Sequence, residues 1–236
     1  IEPFDLDWTP NITGASGRRY RFGAQPQVAH WNLAQLARAL APLAEDLEPL
    51  RASINRYPDL ISTHYRNTML RKLGLDARDD LAGVDDDLLT QLGAMLSDVE
   101  TDMTLFFRQL AKVRRADLDG AYDTLSGAYY GTLSTPQRTA LDSWLRDYAA
   151  RCAQVGLDDA DRAARMNAIN PLYVPRNYLV QEVIEATEAG DRAELPALLD
   201  VLRRPYDEQP GRERYAQKRP DWAKAKPGCS MLSCSS

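Results

Sequence analysis

From residue 25 onward, apolar positions recur at three- and four-residue spacing, the period of an amphipathic helix. After Pro26 the residues Ala29, Leu33, Leu36, Ala37 and Leu40 share one face of a predicted helix. A second predicted helix runs to Gly74, with Ile61, Tyr65, Met69 and Leu73 on one stripe. Gly74 suits its C-terminal cap, because glycine tolerates a positive φ. "GVDDDLLTQLGAML" begins a third helix, with Leu88, Leu92, Met95 and Leu96 inward. In "SDVETDMTLFFRQL", Ser97 and Glu100 have capping-box spacing, and Met103, Phe106, Phe107 and Leu110 form the apolar face. The same spacing recurs at Ser134 and Gln137, ahead of Leu141, Trp144, Leu145, Tyr148 and Cys152. Two further helices meet at "EAGDRAE". Gly190 ends the first, Asp191 and Glu194 cap the second, and Leu195, Leu198, Leu199 and Leu202 are its predicted inner face.

Two stretches lack this period. Residues 9–24 are polar and glycine-rich and read as a loop. After Pro205, "RPYDEQPGRERYAQKRPDWAKAKPG" is dense in charge and proline and reads as an extended tail lying on a surface. No alternating strand pattern and no fixed-period repeat occurs, so the predicted fold class is all-α.

Composition narrows the function classes. With 44% hydrophobic and 27% charged residues over 236 positions, the chain is ordinary globular material for one large domain or two small ones. A net charge of −5 opposes a broad nucleic-acid footprint, which needs clustered Lys and Arg. No apolar run approaches the ~20 residues of a membrane span. Three cysteines and no leader-like opening point to a reducing, cytoplasmic setting.

The inventory for chemistry is thin. His30 and His64 both fall on predicted helices, where a lone histidine is ordinarily structural. There is no HExxH, paired CxxC, G-x-S-x-G elbow or glycine-rich phosphate loop. Asp85, Asp86 and Asp87 sit at a predicted helix start, where acids complement the macrodipole. Cys152 shares an apolar stripe and reads as a small buried hydrophobe. Cys229 and Cys234 lie in the terminal "PGCSMLSCSS", where no regular packing is expected, so they read as accessible thiols. Two segments are unusually polar. One is "GRRYRFGAQPQVAHWNLAQLARAL". The other is "MNAINPLYVPRNYLVQEVIEATEAGD", with Asn167, Asn170, Arg176, Asn177 and Tyr178 around two prolines. Such groups either satisfy backbone at loop–helix junctions or line a cleft.

These segments carry a resemblance. "MNAINPLYVPRNYL", then "GD", "RRPYDEQP" and "PDWA", and the closing "CSS" resemble the selenoprotein O (SelO) family of protein adenylyltransferases. "DLDWTPNITGASGRRYRFGAQPQVAHWNLAQLARALAPL" and "YRNTMLRKLGL" also resemble its members, so the likeness runs from end to end. In that family the third residue from the end is selenocysteine or cysteine, and Cys234 stands there.

The resemblance implies a protein-kinase-like (pseudokinase) fold, of which this chain supplies the helical C-lobe and C-terminal extension. It implies transfer of AMP from ATP to Ser, Thr or Tyr hydroxyls of protein substrates, with Mg or Mn. The family's metal-binding aspartate lies in a D-Y-G motif just ahead of a segment like "IEPFDLDW". Ile1 is therefore expected to begin after that motif, in a fragment lacking the N-terminal lobe. No catalytic, cofactor-binding or metal residue is then expected here, and the chain alone is expected to be inactive.

Residues 1–24 would be an activation-loop-like segment, 25–204 the helical domain and 205–236 the tail. Cys234 and Cys229 would be the redox residues. Some family members pair the tail cysteine with one in the loop after D-Y-G, but here Pro10 stands near that place, so the candidate partners are Cys229, a thiol upstream of Ile1 or an external protein thiol. The alternative is a stand-alone, non-catalytic helical interaction module derived from the family.

Overall fold

The computed structural model describes residues 3–9, 18–226 and 228–229. Among these residues the regular structure is helical, and the one β-type contact is an isolated bridge between Thr101 and Tyr129. The α-helices are α1 (Gln25–Leu40), α2 (Glu48–Lys72), α3 (Ala82–Asp98), α4 (Met103–Leu110) and α5 (Ala121–Leu125). They continue with α6 (Thr135–Gln154), α7 (Asp159–Ile169), α8 (Asn177–Glu188) and α9 (Glu194–Leu202). Short 3-10 turns follow at Glu213–Ala216 and Asp221–Lys224.

Two apolar cores result. The larger gathers the C-terminal end of α2 with α3, α4, α6 and α7, around Leu92, Phe106, Phe107, Trp144 and Tyr148. Trp144 stacks on Tyr148 with ring centroids 5.3 Å apart, and its indole N–H donates to the Leu88 carbonyl at 3.0 Å. The polar end of each buried ring thus finds a backbone partner. The smaller core joins α8 and α9 to the returning tail through Tyr178, Leu179, Val201, Tyr215 and Ala223.

The end of α2 shows local sequence deciding local geometry. Gly74 has φ +76°, its N–H bonds the Arg71 carbonyl at 3.0 Å, and the Leu75 N–H bonds the Leu70 carbonyl at 2.9 Å. That is the Schellman arrangement, with Leu70 and Leu75 both buried behind it. The Ser134–Gln137 capping box is likewise present.

Other expectations are corrected. Ser97 does not cap α4. It lies inside α3, its hydroxyl donates to the Gly93 carbonyl at 2.8 Å, and the N-cap is Asp102, which accepts from the Leu105 N–H at 3.0 Å. Packing of Leu92 and Leu96 carries α3 past Ser97. At α9 the N-cap is Ala193. Asp191 accepts from its N–H at 2.9 Å, and Glu194 pairs with Arg214 instead of capping. Leu198 and Val201 face inward there, while Leu195 and Leu199 are exposed, because the tail covers the Val201 side.

The expected inner face of α1 is also outward. Leu33, Leu36 and Leu40 are exposed, with Leu36 at 55%, and Leu43 just beyond them reaches 84%. Tyr65, on the α2 stripe, is exposed as well.

Candidate functional site

The segment ahead of α1 folds back on itself. Phe4 N–H bonds the Thr101 carbonyl at 2.9 Å, Phe22 N–H bonds the Trp8 carbonyl at 2.8 Å and Gly23 N–H bonds the Leu6 carbonyl at 2.7 Å. A Cβ at Gly23 would stand 3.0 Å from that Leu6 oxygen, so the strands of this loop approach closely because glycine is there. Phe4 and Phe22 meet edge to face at 5.9 Å. The result is a largely apolar cleft of about 410 Å³ lined by Phe4, Trp8, Tyr20, Phe22, Gln25 and Met103. Asp5 is at its rim, and Asp7 pairs with Arg21 at 3.2 Å.

Met103 connects this cleft to the second polar segment. Its neighbour Asp102 is fully buried and paired with Arg176, equally buried. Asn170 donates from Nδ2 to the carbonyls of Lys72 at 2.8 Å and Met166 at 2.9 Å. Asn177 donates to the Cys229 carbonyl at 3.1 Å, and the Tyr178 hydroxyl to that of Gln217 at 3.1 Å. Arg108 reaches the carbonyls of Asn167, Asn170 and Tyr206 at 3.3–3.4 Å. Burial pushes its guanidinium below the ordinary value. The polar residues of "MNAINPLYVPRNYL" thus act mainly as backbone partners tying the two cores together, and Asn170 and Arg176 also border a cleft.

The aspartate run behaves differently from a solvated helix start. Asp85 is completely buried, held by Arg151 at 2.6 Å and Arg66 at 3.2 Å, while Asp86 takes the other side of Arg66 at 2.6 Å. These acids are neutralised by arginines from α6 and α2. Among the described residues no group of three or more His, Cys, Asp or Glu side chains is arranged to hold a metal ion. The residues here do not fit the Mg or Mn that the resemblance implies. His30 stacks on Tyr57 at 5.3 Å. No described helix is long and apolar enough to cross a membrane.

Of the cysteines, Cys152 is buried as expected, and burial pushes its thiol above the ordinary value. Cys229 is a correction. It is buried in the smaller core, with Gly228 at φ +86° turning the chain so that Cys229 sits against α8. The sequence offered no periodicity there, because the burial comes from a turn. Cys234 and Pro10 lie outside the described residues.

Comparison with known proteins places this architecture. The chain is 49% identical over 238 residues to the protein nucleotidyltransferase YdiU of Xanthomonas campestris pv. campestris (strain 8004), covering 100% of this chain and 45% of that protein. It is 50% identical over 236 residues to the protein of the same name from Azoarcus sp. (strain BH72), again 100% of this chain and 45% of the relative. With the Rhodopirellula baltica protein it shares 45% identity over 249 residues, 100% of this chain and 46% of the relative. The chain therefore spans a little under half the length of these nucleotidyltransferases, corresponding to their C-terminal portion. The family model described as protein adenylyltransferase SelO matches residues 1–203. This chain belongs to the SelO family.

Proposed function

We propose that this chain is the helical C-terminal part of a protein adenylyltransferase, an enzyme that moves AMP from ATP onto Ser, Thr or Tyr hydroxyls of target proteins. The observation that carries this reading is end-to-end identity near one half with nucleotidyltransferases about twice its length. In the whole protein the fold is kinase-like, and this chain forms its helical C-lobe and tail. ATP and Mg or Mn are held by an upstream lobe. Catalysis there rests on positioning and charge neutralisation, as in phosphoryl transfer generally.

Two features of this chain support that division of labour, and a third element is proposed with it. Residues 3–9 and 18–24 enclose the aromatic cleft, and by resemblance they follow the metal-binding motif, so this cleft borders the reactive centre. The exposed leucines of α1 and the following turn give the upstream lobe an apolar seat. Cys234 is the redox residue of the tail, in a cytosolic enzyme. Cys229, packed in the smaller core, serves as its partner only after that turn opens.

The experiment uses labelled ATP, a divalent metal and a generic protein acceptor. The 236-residue chain alone is expected to incorporate no label, and the chain joined to its upstream lobe to incorporate it. Label from the chain alone would place the machinery here after all. Silence from the joined protein would remove the transferase reading.

A further inference from the structure

Lys72, the last residue of α2, sits in an unusual position. Its ammonium lies 4.5 Å from the centroid of the Phe107 ring, and the residue is half-buried. Among the described residues no carboxylate lies within ion-pair distance of it. Asp102, the N-cap of the helix that carries Phe107, is gripped through both oxygens by Arg176. A half-buried cation over an aromatic face gains some electrostatic stabilisation from the ring but keeps an unmet need for a counter-ion.

Lys72 also opens onto a cleft of about 210 Å³ that it shares with Met103, Thr104, Pro171, Val174 and Arg176. The walls are mostly apolar. Thr104, which also lines the cleft, carries a hydroxyl able to donate. The volume is below the ~300–1,000 Å³ of sites for drug-sized ligands, which suits a small molecule better than a nucleotide.

We propose that this cleft is a binding site for a small monocarboxylate, its carboxylate on the Lys72 ammonium and Thr104 hydroxyl and its short apolar body against Met103, Pro171 and Val174. One uncommitted cation matches one negative charge. Arg176, the other cation at the cleft, is engaged by Asp102, so a doubly charged phosphate would leave half its charge unmatched. The proposal needs neither nucleotide nor an upstream lobe, and stands independently of the transferase reading.

The cations on the neighbouring elements are already committed. On α4, Arg108 holds three carbonyls and approaches Glu208. On α7, Arg162 holds the Leu110 carbonyl and the Tyr148 hydroxyl. At the start of α8, Arg176 holds Asp102. Burial lowers the Lys72 ammonium to about 8. A carboxylate stays ionised above neutrality, so binding should be strong at pH 7 and fade as the pH rises past about 8.

The test is a titration of the 236-residue chain with sodium butyrate, read by NMR on the methyl signals of Met103 and Val174, with sodium chloride as the ionic control. Saturable shifts are expected with butyrate alone. Lys72→Met should weaken binding at least about tenfold. Lys72→Arg should hold it within a few-fold at pH 7 and, unlike the natural chain, keep it at pH 9. Should Lys72→Met fail to fold, the contrast in pH dependence between the natural chain and Lys72→Arg decides. Shifts shared with chloride, unsaturable shifts, or binding unchanged in Lys72→Met or equally pH-dependent in Lys72→Arg would overturn the proposal.

Discussion

Asp102 and Arg176, 74 positions apart, form a fully buried pair in which one carboxylate also caps α4. Oδ1 accepts from the Leu105 N–H at 3.0 Å and from Arg176 Nη2 at 3.2 Å, while Oδ2 takes Arg176 Nη1. The pair links the larger core to the segment leading into the smaller one. Removing one partner strands the other charge away from water. Arg176→Met is therefore expected to cost about 3–5 kcal/mol of unfolding free energy. Urea denaturation checks this, and a loss below about 1 kcal/mol would mean the carboxylate finds another partner.

Gly74 and Gly190 give a paired comparison. Both have positive φ, +76° and +93°, so alanine is strained at either. At Gly190 a Cβ meets nothing within 4 Å, whereas at Gly74 it would stand 3.1 Å from Cγ of both Arg162 and Met166. Gly190→Ala is expected to cost about 1 kcal/mol and Gly74→Ala clearly more, because α7 must also move. Thermal melts of the two variants side by side read the difference. Equal losses would show that α7 yields without cost.

Local signals in the sequence were legible and long-range ones were not. Ser134 with Gln137, Gly74, and the stripe from Leu141 to Cys152 all came through, since each depends on neighbours within one or two turns. Ser97 with Glu100 has the same spacing as Ser134 with Gln137 and means nothing there. Asp102 wins the cap with the help of an arginine far along the chain, and Glu100 turns to the tail. Asp85 read only as an acid complementing a helix start, because its partners Arg66 and Arg151 come from other helices. The α1 stripe was read correctly as a stripe, and its outward orientation is invisible to periodicity, which reports a face but not what covers it. At the cleft, Lys72 carried no sequence signal. Only packing on Phe107 and the half-buried position above it set it apart.

Cys152 and Cys229 are both buried. Cys152 is fully enclosed with its thiol shifted upward, so little thiolate exists near neutrality, and Cys229 is enclosed by α8 and the tail turn. Brief alkylation of the folded chain is expected to leave both unmodified, and alkylation in denaturant to modify both. Mass spectrometry after proteolysis gives the two yields. Rapid native labelling of Cys229 would show that the tail turn opens readily. In the whole enzyme, Cys234→Ser is expected to erase any activity difference between oxidised and reduced samples. A persisting difference would remove Cys234 as the switch.

Glu100 fastens the tail to the larger core. Its two oxygens take Arg219 at 2.7 Å and Lys224 at 3.2 Å, and Lys218 donates to the Tyr129 carbonyl alongside. Partial burial raises the carboxyl, but the hydrogen bonds and charges of Arg219 and Lys224 outweigh it and hold the group below the ordinary carboxylate range. A carboxyl depressed in the folded state contributes stability that is present above its unfolded value, about 4.3, and is lost as pH falls through the lower folded value. Acid should therefore weaken the strap from about pH 4 downward, with no effect of this pair between pH 6 and 8. Glu100→Gln keeps the shape and removes the charge. Its stability is expected to fall less steeply than that of the natural chain between pH 5 and 3, and to lie below it at pH 7. The readout is urea unfolding at each pH, followed through helical circular dichroism and the fluorescence of the four tryptophans, of which Trp222 lies within the strapped tail. Parallel acid slopes for the two chains would show that Arg219 and Lys224 hold the tail without Glu100.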